Sequence, residues 1–130
     1  MCIGWGGLHE ILLVEDNPDA RETLRLLLEL EGHRVAAAGT GERAIELALE
    51  KKFTLALVDI GLPDIDGYQV ARRIRSSGAG DQMLLIALTG YGQPEDVRRA
   101  LAAGFDAHVV KPVDPDTLTK TLADLSRNAR

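Results

Sequence analysis

Cysteine is almost missing from this 130-residue chain: Cys2 stands alone in a Gly-rich start and excludes an internal disulfide and a thiolate metal cluster. It reads as an incidental terminal residue. Basic charge is also short, 15 Lys plus Arg against 20 Asp plus Glu. A net charge of -5 gives no electrostatic basis for direct nucleic-acid binding or attraction to an anionic bilayer. No apolar run reaches the length of a membrane span, and the first residues lack the basic and apolar regions of a signal peptide. The expected setting is cytoplasmic and reducing, without membrane insertion. A Pro-, Gly- or Ser-rich linker and internal repeats are lacking too, so no separately folded output domain is expected.

What is present is a globular mixture, 45% apolar and 27% charged, long enough for one core. Residues 1–9 read as a flexible N-terminal segment and 10–126 as one domain. Short apolar runs alternate with segments of helical period, the pattern of a parallel sheet covered by helices on both faces. Five such βα units can be counted. The strands are expected at Ile11 to Val14, Arg34 to Ala38, Leu55 to Val58, Met83 to Leu88 and Ala107 to Val110. The third and fourth are nearly all apolar, as strands buried on both faces must be.

Helix starts are marked by residues able to accept from free amide N–H groups. Asn17 before Pro18, Thr40, and Asp66 with Gln69 three residues on are such signals. Asp114 before Pro115 is another, whereas Gln93 before Pro94 is a poor cap. Gly32 supplies a stop for the first helix. The inward faces expected from a 3.6-residue period are Leu24, Leu27 and Leu28; Ile45, Ala48 and Leu49; Val70, Ala71 and Ile74; Val97 and Leu101; and Leu118, Leu122 and Leu125.

Parallel α/β sheets place their sites at the carboxyl ends of strands, where strand order reverses. At that edge the first strand delivers Glu15 and Asp16, the third Asp59, the fourth Thr89 and the fifth Lys111. Three clustered carboxylates repel unless a cation compensates them. An all-oxygen set suits Mg²⁺ or Mn²⁺ rather than Zn²⁺. A carboxylate can itself attack phosphorus and form an acyl phosphate, and Asp59, central among the strands, is the expected nucleophile. Lys111 and the Thr89 hydroxyl would donate to phosphoryl oxygens, and Gly90 leaves room for the group. A cis peptide at Lys111-Pro112 would aim the ammonium over the sheet edge. A metal-dependent phosphatase acting on diffusible substrates is the competing reading, and the absence of a lid-sized insertion weighs against it.

The motifs Leu12-Leu13-Val14-Glu15-Asp16-Asn17, Leu57-Val58-Asp59 through Asp66-Gly67, Ala87-Leu88-Thr89-Gly90 and Val110-Lys111-Pro112 occur in this order. Together they resemble the receiver domain of bacterial two-component response regulators, over about Glu10 to Leu125. The wording also resembles receivers attached to hybrid histidine kinases. The resemblance implies a flavodoxin-like three-layer (βα)₅ sandwich with a parallel sheet of order 2-1-3-4-5. It implies Mg²⁺ held by Glu15, Asp16, Asp59 and the Gly61 carbonyl, phosphorylation of Asp59, a switch hydroxyl on Thr89 and a phosphate-pairing Lys111. The implied donor is a histidine kinase or a histidine phosphotransfer protein, and the output is contact with a downstream protein. Self-phosphorylation from small donors and autodephosphorylation are implied as well. A phosphorylation-independent binding module and a receiver excised from a larger kinase are the alternatives.

One position departs from that family's pattern: His108 stands where a switch Tyr or Phe is usual. It is open whether His108 is an edge-strand residue packed by its ring face or a residue that swings inward as Thr89 moves. Gly61 is equally open, between a permissive loop glycine and a gap that admits water beside the phosphoryl group. Tyr91 and Phe105 are further rings for the same groove.

Overall fold

The computed structural model describes residues 9–78, 83–90, 94–111, 113 and 115–128. Five strands alternate with five helices: β1 Glu10–Val14, α1 Pro18–Leu30, β2 Arg34–Ala38, α2 Gly41–Glu50, β3 Leu55–Asp59, α3 Gly67–Ser76, β4 Leu84–Thr89, α4 Pro94–Ala103, β5 Ala107–Val110 and α5 Pro115–Asn128. All neighbouring strands are parallel, in the order β2-β1-β3-β4-β5. The doubly wound α/β expectation and the strand order therefore hold.

Alternation along the strands divides the core in two. Leu12, Val14, Ala56, Val58, Leu85 and Ala87 point to one face, where they meet α2, α3 and α4. Ile11, Leu13, Leu55, Leu57, Ile86 and Leu88 point to the other and meet α1 and α5. Each such Leu or Ile, fully removed from water, contributes about 1.5–3 kcal/mol before entropy is set against it. Central strands covered on both sides need continuous apolar sequence, which is why β3 and β4 were legible.

The capping expectations at Asn17, Thr40 and Asp66 are met. Asn17 Oδ1 accepts from the Asp19 and Ala20 amides, Thr40 Oγ1 from Arg43, and Asp66 Oδ1 from Gln69. Gly32 ends α1 at φ 100°, a left-handed conformation suited to glycine. Asp64 adds an unforeseen cap: its two carboxylate oxygens accept from the Gly41 and Glu42 amides at 2.9 and 3.0 Å, tying the β3–α3 loop to the start of α2.

Two inward assignments are corrected. Leu49 is 59% exposed, because the buried stripe of α2 runs through Gly41, Ala44, Ile45 and Ala48. Leu101 is 54% exposed, because α4 faces the sheet with Ala100 and Ala103, with Val97 half-buried. In each case the apolar sequence permits two helical frames about 100° apart, and contact with α3 or the sheet selects one. Residues 1–8, the Lys111-Pro112 peptide, Tyr91, Gln93, Asp114 and the side chains of Leu122 and Leu125 lie outside the described residues. Phe105 is core, 3% exposed. Among the described residues no helix is long and apolar enough to cross a membrane.

Candidate functional site

The strand order reverses between β1 and β3, and the polar ends of both strands meet there. Glu15 follows β1 directly and is held by its amide, which donates to the Ala38 carbonyl at 3.0 Å. Its Oε2 accepts from the Asn17 amide at 3.1 Å, so the α1 cap also aims the carboxylate. Asp59 is the last residue of β3, and the next amide, Ile60, donates to Leu88 on β4 at 3.1 Å. Lys111 follows β5, its amide donating to the Thr89 carbonyl at 2.7 Å. Backbone pairing between strands thus fixes where each side chain begins.

Behind Asp59 the packing leaves no room for adjustment. The Gly67 amide donates to the Ile60 carbonyl at 2.9 Å. A Cβ on Gly67 would lie 2.6 Å from the Asp59 carbonyl oxygen and 2.8 Å from Ile60 Cα. The start of α3 is therefore pressed against the backbone that carries the carboxylate.

All five residues expected at the sheet edge are brought together. Glu15, Asp16 and Asp59 each offer an oxygen, and the three oxygens lie within 4.8 Å of one another. Glu15 and Asp59 are buried, at 3% and 6% exposure, while Asp16 is exposed. Lys111 Nζ bridges the two buried carboxylates, 2.9 Å from Glu15 Oε1 and 3.0 Å from Asp59 Oδ2. Asp59 Oδ1 accepts from the Gly61 amide at 3.0 Å. Thr89 is 6% exposed, and its hydroxyl is buried without a hydrogen-bond partner among the described residues. These side chains line a cavity of about 510 Å³, shared with Tyr68 of α3 and Asp96 of α4.

The electrostatics follow from this crowding. Burial pushes the Glu15 carboxyl up, with Asp59 adding to it, and the hydrogen bonds from Lys111 and the Asn17 amide do not cancel the effect. Burial opposes the charge on Lys111, but hydrogen bonds to Glu15 and Asp59 outweigh it and hold the ammonium above the ordinary lysine range. One lysine among three carboxylates leaves the pocket with excess negative charge. That is the donor set of a hard divalent cation, all oxygen and mostly anionic, with no thiolate or imidazole.

The response regulator receiver domain family matches residues 11–123. This chain is a receiver domain of that family. The receiver is 44% identical over 106 residues to the transcriptional regulatory protein AfsQ1 of Streptomyces coelicolor, covering 82% of this chain and 46% of that protein. It thus spans about half the length of that regulator. The receiver domain of the sensor histidine kinase PA1611 of Pseudomonas aeruginosa, solved with a magnesium ion coordinated in its active-site cleft, is 34% identical with a TM-score of 0.82, covering 92% of this chain and 97% of its own. A Saccharomyces cerevisiae structure of the phosphotransfer protein Ypd1 with the receiver domain of its response regulator Ssk1 matches at 26% identity and TM-score 0.82, over 88% of this chain and 86% of that one. The receiver's acidic cluster of Glu15, Asp16 and Asp59 is positioned for Mg²⁺-dependent phosphoaspartate chemistry.

His108 does not line the cavity. It is half-buried on β5, the edge strand, with its Cα opposite Ala87. Gly61 is exposed, and a Cβ there would meet only Asp59 Oδ1, at 3.9 Å. Sequence reasoning missed Tyr68 and Asp96, which reach the cavity from α3 and α4. Their signal was weak, since a Tyr in a helix and an Asp in a first turn both have ordinary structural uses.

Proposed function

We propose that this receiver is a phosphoacceptor switch in which Asp59 takes a phosphoryl group from a phosphohistidine and thereby changes a protein-binding surface. The observation that carries the reading is the Asp59 carboxylate, held at Oδ1 by the Gly61 amide and at Oδ2 by Lys111, beside a buried Thr89 hydroxyl that lacks a partner among the described residues. A phosphoryl group on Asp59 gives Lys111 and Thr89 oxygen acceptors and satisfies both.

In this reading an Asp59 oxygen attacks phosphorus, the P–N bond to the donor histidine breaks, and its electron pair returns to the imidazole. A bound divalent cation, Mg²⁺ or Mn²⁺, would neutralise the carboxylates and the transferring group, with Glu15, Asp16, Asp59 and the Gly61 carbonyl as its ligands. Lys111 then moves from carboxylate to phosphoryl oxygen, and Thr89 turns toward the group. His108 occupies space that Thr89 vacates, altering the α4–β5 surface. Later hydrolysis by water ends the signal, and the bare Gly61 side leaves room for that water. The donor is a histidine kinase or histidine phosphotransfer protein, a class supported by the Ypd1–Ssk1 likeness, and the output is a protein contact. The proposed setting is cytoplasmic, and residues 10–126 are assigned to the receiver domain.

The test is phosphorylation by phosphoramidate with Mg²⁺, read by intact mass. The parent takes up one phosphoryl group, chelation abolishes the uptake, and Lys111→Ala slows it by about 100-fold. Equal uptake by Asp59→Asn would sink the reading.

A further inference from the structure

Helix α4 is attached to the core by little apolar surface. Its buried residues are Ala100 and Ala103, whereas α1 and α3 bury Leu24, Leu28, Val70 and Ile74. Less buried area means a weaker hold, so α4 yields more readily than α1 or α3.

Its polar contacts with α3 are more specific. The Arg99 guanidinium lies over the Tyr68 ring, Cζ 4.2 Å from the centroid. Its Nη2 is 4.0 Å from Asp66 Oδ2, on the residue that caps α3. Tyr68 is 4% exposed and directly follows Gly67, which is pressed against the Asp59 and Ile60 backbone. The ring is therefore fixed relative to Asp59. Asp96, three residues before Arg99 and so on the same helix face, lines the cavity that holds Asp59 and Thr89. One face of α4 thus sets a carboxylate at the cavity and a cation on the ring beside it.

We propose that Arg99 stacked on Tyr68 is a latch holding α4 in its unphosphorylated position, and that Asp96 is the charge sensor that opens it when Asp59 is phosphorylated. The proposal rests on Asp59 being the acceptor. Phosphorylation turns the single negative charge of Asp59 into up to about two, a net gain of about one in the cavity. Asp96 is then repelled, with two buried alanines, the half-buried Val97 and the latch resisting. An exposed cation–π contact shifts an equilibrium by about two- to fivefold, a restraint that such a charge overcomes. This route runs through α3 and α4 and needs no movement of His108.

Arg99 side-chain NMR tests it directly, because the Tyr68 ring shifts the Arg99 δ-methylene protons upfield. With Mg²⁺ already saturating, addition of beryllofluoride, a tetrahedral phosphoryl mimic, should return them to ordinary positions and speed α4 amide exchange by about two- to fivefold. In Asp96→Asn the protons should stay shifted under the same saturation. Arg99→Ala, at an exposed position, should speed α4 exchange to the same degree with no mimic present. Saturation is scored separately on the Ile60 and Gly61 amides. If those amides respond while Arg99 stays on the ring, or if Asp96→Asn releases it fully, the latch is overturned and the acceptor reading stands. If they do not respond and phosphoramidate adds no mass, the acceptor reading falls and the latch with it. Unchanged α4 exchange in Arg99→Ala overturns the latch as well.

Discussion

Replacing Thr89 with valine removes one hydroxyl and keeps the branched shape of the side chain, so its effect reports what that hydroxyl costs or contributes. In the unphosphorylated receiver the hydroxyl is buried and has no partner among the described residues. A buried unsatisfied hydroxyl costs about 1–3 kcal/mol. The low end applies, because the adjoining cavity of about 510 Å³ admits water. Thr89→Val should therefore stabilise the unphosphorylated protein by about 1 kcal/mol, or about 4 °C in melting temperature for a domain of this size. With Mg²⁺ and beryllofluoride bound, the parent hydroxyl gains a charged acceptor worth about 1.5–3 kcal/mol, which valine cannot supply. The stabilisation produced by the mimic should shrink by that amount in the variant. Urea unfolding of both proteins, with and without the mimic, reads the two effects, which have opposite signs. Equal stability without the mimic, or an equal gain with it, would refute the reasoning.

Three further outcomes follow from particular contacts. Gly67→Ala should destabilise the fold by about 2–3 kcal/mol in urea melts, because its Cβ would meet backbone of Asp59 and Ile60 that has nowhere to go. The same variant should lose phosphoramidate reactivity, whereas Gly61→Ala, whose Cβ would make only an ordinary contact with Asp59 Oδ1, should retain its stability. Asp64→Ala should cost about 1–2 kcal/mol by leaving two α2 amides uncapped, and Asp64→Asn should recover part of it. His33 gives a pH dependence whose sign is fixed: burial, helped by His9 and opposed by Glu31, lowers its pKa from 6.5, and its Nδ1 accepts the His9 amide at 3.2 Å. The unfolded chain then binds the proton more readily, so stability is full above 6.5 and falls as pH drops toward the lowered folded value. Urea midpoints at about pH 7.5 and 5.5 should differ less in His33→Gln, which keeps an acceptor but cannot titrate.

Much of the fold was legible because its signals are local. An all-apolar run such as Leu55 to Val58 permits little besides a strand buried on both faces, and Asn17, Thr40 and Asp66 cap helices through amides two or three residues away. Signals that cross between elements were not legible. Asp64 caps a helix that begins 23 positions earlier, and nothing near Asp64 in sequence announces it. Leu49 and Leu101 were assigned inward on pattern, but the close seat of Gly41 on Ile65 and Val70 and the small Ala100–Ala103 stripe chose other frames.

The site divides in the same way. The sequence by itself determined which residues stand at the strand ends, Glu15, Asp16, Asp59, Thr89 and Lys111, because a parallel sheet brings the carboxyl ends of its strands to one edge. Only the tertiary structure decided the state of each: Glu15 and Asp59 buried and sharing one lysine, Asp16 exposed, the Thr89 hydroxyl without a partner among the described residues, and Tyr68 and Asp96 beside them. Strand ends and chain direction follow from a one-dimensional pattern, and the strand order came from the family resemblance. Burial and charge pairing depend on how five loops and helices converge in space, and no single segment encodes that.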